Sequence, residues 1–253
     1  MVADRSPGDK HSIASSCVRA TIVILTGAKD TSVLSERTFD EACPLTHAAD
    51  HQAHDEATLS IVVVANRHRP AVVLDSLGGT RFQISYTPDY ELPADFATNI
   101  QLAAYNQVGA YRCFRGHQDA LSLADNEWTL VLEDDATPNV AAWGAVVESA
   151  LASLPRPDAI DVLSLHARGF DPDRMTQRAV VGDRRVLVPR FWDGPVRVFG
   201  SLAYLIRRSA ALRFRAMQYE GIPVDLLLPN RFRFALLHPS PFDHDRRYPS
   251  LVG

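Results

Sequence analysis

The sequence predicts an α/β fold in which helices flank a mixed, mainly parallel sheet, and three observations predict it. Continuous apolar runs rich in β-branched residues, at 60–66 and 128–132, are what strands covered on both faces need. Segments of helical length alternate with such runs, and that alternation builds parallel sheets. The second run ends in three consecutive carboxylates and a turn, at the strand end where open α/β sheets receive ligands.

Taken in order, residues 1–18 are rich in Ser, Asp and Gly without apolar periodicity, and are expected to form a mobile arm that carries no chemistry. Residues 19–58 form an extension of uncertain structure. Within it Thr21–Leu25 reads as a short strand, followed by a polar stretch in which His47, His51 and His54 surround Asp50 and Asp55. With no flanking strand or cysteine partner, that cluster reads as exposed side chains rather than a metal site.

The working domain is expected over 59–253. It opens with a strand at 60–66, a helix around 71–77, a Gly78-Gly79 break and a second strand at 81–86. Residues 97–123 read as mostly helical, and 128–132 as a third strand. Beyond the acidic triplet come a helix over 140–154 that ends before Pro155 and a strand at 160–165. Residues 167–185 read as a loop or lid. Short strands are expected at 186–189, 196–199 and 232–237, and helices at 209–217 and 223–228.

Charge and cysteine usage exclude several classes. Acidic residues outnumber basic ones, for a net charge of −4, so no global positive field recruits nucleic acid or an anionic membrane. The arginines at 207–208, 231–233 and 246–247 read as solvated faces. Cys17, Cys43 and Cys113 are scattered, which argues against a zinc knuckle or a disulfide framework and fits a reducing cytoplasm. The first eighteen residues lack a signal-peptide core and no run is long enough to span a bilayer, so a cytoplasmic protein is expected.

The chemistry concentrates at WTLVLEDDATPN, residues 128–139. Strand side chains alternate between faces, so Glu133 and Asp135 are expected to converge while Asp134 faces elsewhere, unless the turn bends the chain there. Hard oxygen ligands of this kind suit Mn²⁺ or Mg²⁺ bridging a diphosphate. The alternative is a solvated loop whose acids cap the next helix.

Neighbouring segments tip that balance. Ile61–Arg69 (IVVVANRHR), Gly109–Leu121 (GAYRCFRGHQDAL), the triplet itself, FGSLAYLIRRSAA at 199–211 and IPVDLLLPN at 222–230 resemble, in order, motifs of the family 25 glycosyltransferases. That family contains the lipooligosaccharide and collagen galactosyltransferases and is similar to the wider class with one Rossmann-like GT-A domain. The resemblance spans about residues 60–250. It departs at Arg67, where Leu is usual, and at His244, where Gln is usual.

The resemblance implies a GT-A-like, Rossmann-type domain that transfers a hexose from a nucleotide-sugar donor, UDP-linked, to a hydroxyl acceptor with inversion. It implies Mn²⁺ or Mg²⁺ held by Glu133 and Asp135, with His244 completing the shell. Asn66, Arg67, His117, Asp134 and Gly200 are expected at the donor, and Asp225 as the catalytic base.

Several of these roles also have a physical reading. Gly200 lacks the Cβ that would block a close approach to a donor sugar, although a plain strand-end turn is the alternative. Asp225 falls in the first turn of a helix behind Pro223, where a carboxylate either takes a proton from an acceptor or pairs with the helix dipole. His117 is placed to contact the donor or an interior carboxylate, and His238 competes with His244 for the metal. Trp143 reads as core and Trp192 as the acceptor-stacking ring. The same carboxylates would serve a nucleotidyl- or phosphotransferase, but no GxxxxGK[ST] pattern is present; a non-catalytic carbohydrate-binding module on this fold is the third reading. The acceptor stays open among glycan, protein, metabolite and modified nucleic-acid base.

Overall fold

The computed structural model describes residues 59–66, 73–77, 80, 82–94, 96, 107–154, 159–190 and 198–245, with strand backbone at Ile22–Leu25 (β1) and Glu36–Arg37 (β2). The remaining strands are β3 (Ser60–Asn66), β4 (Phe82–Thr87), β5 (Trp128–Glu133), β6 (Ala136–Pro138), β7 (Val162–Ser164), β8 (Thr176–Val181), β9 (Arg184–Val188), β10 (Ala203–Arg207), β11 (Phe234–His238) and β12 (Phe242–His244). Helices are α1 (Val73–Ser76), α2 (Gln107–Leu121), α3 (Trp143–Ala152), α4 (Arg208–Ala216) and α5 (Val224–Arg231).

Ten strands form one mixed sheet in the order β2-β1-β4-β3-β5-β10-β7-β11-β9-β8, and β12 pairs with β6 in a second, small sheet. Pairing is parallel through β1, β4, β3 and β5 and again between β7 and β11. It is antiparallel where β10 enters between β5 and β7, and where β9 and β8 close one edge. This is a helix-flanked α/β fold with a mixed, mainly parallel sheet, Rossmann-type through the parallel β4, β3 and β5, with the reversed β10 beside them.

The apolar runs explain the layering. Side-chain alternation puts Ile61, Val63, Ala65, Leu130 and Leu132 on one face, packed with Val73 of α1 and Trp143 and Val147 of α3. Val62, Val64 and Val131 face the other way, against Phe114 of α2, Phe214 of α4 and Leu227 of α5. Burying both faces is why these strands are apolar throughout rather than alternating; each fully buried Val or Leu contributes about 2 kcal/mol. Trp143 is core, as expected, with its ring 5.6 Å from that of Phe242.

Two expectations need correction. Residues 167–185 are not only a loop: a 3₁₀ turn at Pro172–Arg174 leads into β8, which folds back on β9 around Gly182, whose φ is +60°. At 196–199 the described part, Val198 and Phe199, makes a single bridge from Phe199 to Arg168 instead of a strand, and the strand lies later, at β10. The arm at 1–18 and the His47, His51 and His54 cluster lie outside the described residues. Among the described residues no helix is long and apolar enough to cross a membrane.

Candidate active site

The reversed direction of β10 decides where the site forms. Parallel strands β3, β5 and β7 deliver their carboxyl ends to one edge of the sheet, and an antiparallel β10 delivers its lead-in, Gly200–Leu202, to that same edge. A cavity of about 320 Å³ opens there. Asn66, His117, Glu133, Asp134, Asp135, Gly200, Asp225 and His244 all line it. Arg67 and Trp192 lie outside the described residues, and His238 is not among the lining residues; its ring meets Phe170 edge-on.

The acidic triplet does not follow strand alternation, because β5 ends at Glu133 and the next two residues form a turn. Asp134 and Asp135, only 2% and 3% exposed, therefore both remain at the cavity. The Asn66 backbone N–H donates to Asp134 Oδ2 at 2.7 Å, tying the end of β3 to the turn. Asp135 Oδ2 meets His244 Nε2 at 2.9 Å, and the Asp245 N–H donates to the Asp135 carbonyl at 2.9 Å. Pairing of β12 with β6 sets His244 opposite Ala136 and so holds that contact.

Glu133 is fixed from behind. Its Oε1 accepts from the Ser201 hydroxyl at 2.6 Å and lies 3.4 Å from His117 Nε2. His117 Nδ1 is in turn 2.8 Å from the Tyr204 hydroxyl. Burial, then the charge of Glu133, pushes the Tyr204 phenol well above its usual range. His117 thus turns Nδ1 to Tyr204 and Nε2 to Glu133. The His117 ring is fully buried and contacts the interior carboxylate of Glu133, one of the two expected partners.

Gly200 is required by the backbone packed beside it. With φ at +155°, a Cβ there would lie 2.0 Å from the His166 carbonyl oxygen and 3.2 Å from Ala167 Cα. The close approach is to the chain leaving β7.

Asp225 sits in the first turn of α5, as expected. Burial raises its carboxyl above the usual value and the nearby charge of Glu133 raises it further, against the hydrogen bonds from its own and the Leu226 N–H and the charge of Arg168. A carboxylate made more basic in this way holds a proton more firmly once it has taken one.

Four more cavity residues have no role assigned to them by the sequence, although Cys113 and Ser201 fall within the motif segments: Cys113, His166, Arg168 and Ser201. His166, 5% exposed, has its Nδ1 3.0 Å from the Phe242 carbonyl and its buried Nε2 without a hydrogen-bond partner. Burial lowers its basicity, which favours the neutral ring with the proton on Nδ1. Burial and the surrounding carboxylates, Glu133 first, push the Cys113 thiol well above its usual range. Ser201 and Arg168 reach the cavity only because β10 and β7 are adjacent, a pairing no local pattern announces.

No protein-family model and no curated protein matches the chain. Solved structures that resemble it include A197 from STIV, at 11% identity over 73% of this chain and 83% of that one, with a TM-score of 0.38. A glycosyltransferase involved in glycosylation of the major capsid of PBCV-1 aligns at 12% identity over 62% of this chain and 64% of that one, TM-score 0.35. Mannose-1-phosphate geranyltransferase from Thermus thermophilus aligns at 15% identity over 72% and 60%, TM-score 0.34. Likenesses this distant carry no functional argument.

Proposed function

We propose that the chain is a glycosyltransferase that moves a hexose from a nucleotide sugar, UDP-linked, to a hydroxyl acceptor with inversion. The observation that carries this reading is the convergence of Asn66, Glu133, Asp134, Asp135, Asp225 and His244 on one cavity at the carboxyl ends of β3 and β5. That is where doubly wound sheets bind nucleotides. The motif resemblance to family 25 supports the same reading, and with it the galactosyltransferase-like assignment.

The donor set suits a hard divalent cation. Asp135 and His244 already face each other at 2.9 Å, and the charge of Glu133 bears on Asp225 within the same cavity. Mn²⁺ or Mg²⁺ takes only one or two protein carboxylates and completes its shell with phosphate oxygens and water, so Asp135, with Glu133 and His244, is enough to hold one. The imidazole favours Mn²⁺. When bound, the cation neutralises charge building on the nucleoside-diphosphate leaving group.

The chain's own groups do the rest. Asp225 accepts the acceptor's hydroxyl proton as that oxygen bonds to the anomeric carbon and the carbon–oxygen bond to the diphosphate breaks, a single displacement that inverts the centre. Asp134 positions the end of β3 for the nucleotide through the Asn66 N–H, and Ser201 and His117 orient Glu133. Arg168, at the cavity, pairs with the diphosphate. Arg67 at the donor and Trp192 under the acceptor complete the assignment.

Thermal-shift screening of nucleotide sugars with Mn²⁺ tests this reading. A ligand at a hundred times its dissociation constant adds about 2.7 kcal/mol of stability. Stabilisation by a nucleotide sugar that EDTA removes is expected; no response to any nucleotide, or an equal response in EDTA, contradicts it.

A further inference from the structure

We propose that Cys113, His117 and Glu133 form a second metal site, selective for a thiophilic divalent ion such as Zn²⁺ or Cd²⁺. The site shares Glu133 with the cation site of the transferase reading, goes beyond that reading and does not depend on it.

Among the described residues, these three form the one group of at least three potential ligands whose donor atoms all lie within 4.8 Å of one another. The expected Glu133, Asp135 and His244 set does not meet that criterion. Cys113 and His117 are one helical turn apart on α2, so both project from the same face toward the end of β5. His117 Nε2 and Glu133 Oε1 are 3.4 Å apart. Tetrahedral zinc, with bonds near 2.0 to 2.3 Å, holds its ligand atoms about 3.5 Å apart. No separation therefore has to close by more than about 1.3 Å, which side-chain rotation supplies.

The surroundings resemble those of a metal-ligating imidazole. Tyr204 holds His117 Nδ1 and leaves Nε2 facing the site, the outer-shell arrangement that fixes ring orientation. Ser201 performs the same service for Glu133. Asp134, Asp135 and Asp225 add negative charge around Cys113, which attracts a cation. A thiolate, an imidazole and one carboxylate select borderline-soft ions over Mg²⁺.

Binding conserves protons in a definite way. The metal–sulfur bond replaces the Cys113 S–H, whose proton leaves to solvent, and the metal–nitrogen bond replaces the Nε2 proton. The proton displaced from Nε2 is carried on Nδ1, which hydrogen-bonds to the Tyr204 oxygen while the hydroxyl's own hydrogen turns away. Glu133 binds as the carboxylate.

Cd²⁺ titrated alone into the full chain carrying Cys17→Ser and Cys43→Ser, which leaves Cys113 as its one thiol, tests the site. One equivalent should bind with an ultraviolet sulfur-to-cadmium charge-transfer band that excess Mg²⁺ does not remove. Adding Cys113→Ser should abolish the band. Tyr204→Phe and Glu133→Gln should keep the band and weaken binding by about tenfold or more. Absence of the band in the parent overturns the site, and so does affinity unchanged in both Tyr204→Phe and Glu133→Gln, which would put cadmium on a bare thiol. Because no nucleotide is present, loss of the transferase reading leaves these outcomes intact.

Discussion

The Asp135 carboxylate and the His244 imidazole meet at 2.9 Å although they come from opposite ends of the small β6–β12 sheet's chain, one just before β6 and the other ending β12. The short sheet thus acts as a clamp that brings a histidine from near the end of the described chain to the acidic turn. Removing the imidazole should loosen the cation without unfolding the protein. His244→Ala should weaken Mn²⁺ binding in calorimetry by about ten- to a hundredfold, the usual cost of a lost metal partner, with a circular dichroism spectrum like that of wild type.

Asp225→Asn should cut transfer by about two to four powers of ten, the range for lost general-base catalysis. The loss should appear in kcat, with donor binding in the presence of Mn²⁺ retained. Loss of donor binding as well would make Asp225 a structural residue of α5.

The same substitution has a consequence for stability with a definite sign. Burial and the charge of Glu133 raise the folded-state carboxyl of Asp225 above the ordinary value of 3.8. The contribution of its protonated form is therefore fully present below that ordinary value and lost as pH rises through the folded one. Asp225→Asn, which needs no ionisation, should melt higher than wild type at pH 7, and the gap should close as pH falls below 3.8.

Asp161 has the opposite sign. Burial alone would raise its carboxyl, but hydrogen bonds from Arg233 and Arg213 hold it at about 2. The Arg233 backbone N–H, Nε and Nη2 and the Arg213 Nη2 all donate to it, joining the start of β7 to the start of β11 and to α4. Its stabilisation is present above 3.8 and lost as pH falls toward 2. Asp161→Asn should lower unfolding free energy by about 2 kcal/mol at pH 7, with the difference narrowing in acid.

Gly200→Ala should destabilise the fold by about 1–3 kcal/mol. The added methyl would meet the His166 carbonyl at 2.0 Å, and backbone on both sides leaves little room to yield. A wild-type melting temperature in this variant would show that the two segments separate easily.

Much of this was legible in the sequence where the signal is local. Ile61 to Ala65 and Leu130 to Leu132 declare doubly covered strands, and Asp225 falls where Pro223 starts its helix. The β8–β9 hairpin was also signalled, by Gly182-Asp183 between two extended runs, but the Gly-, Asp- and Arg-rich composition of 167–185 reads as loop. Ala203–Arg207 is too short an apolar run for periodicity to tell strand from helix. The direction of β10 was invisible for a second reason: it is set by pairing with β5 and β7. From that pairing follow the places of Ser201, His166 and Arg168, and the close backbone approach at Gly200. His117 shows the limit from the other side, since its motif was legible while its enclosure behind Glu133 came only from packing against Tyr204.

Release of nucleoside diphosphate from a nucleotide sugar tests the central claim most directly. A panel of UDP-, GDP- and other nucleotide sugars would be incubated with the wild-type chain, with Asp135→Asn and with Glu133→Gln, each in Mn²⁺ and then in excess EDTA. The account predicts release from at least one donor, UDP-linked, that needs Mn²⁺, stops in EDTA and is lost in both variants while their folds persist. Release that continues at the wild-type rate in EDTA and in both variants, or no release and no binding of any donor, would contradict it.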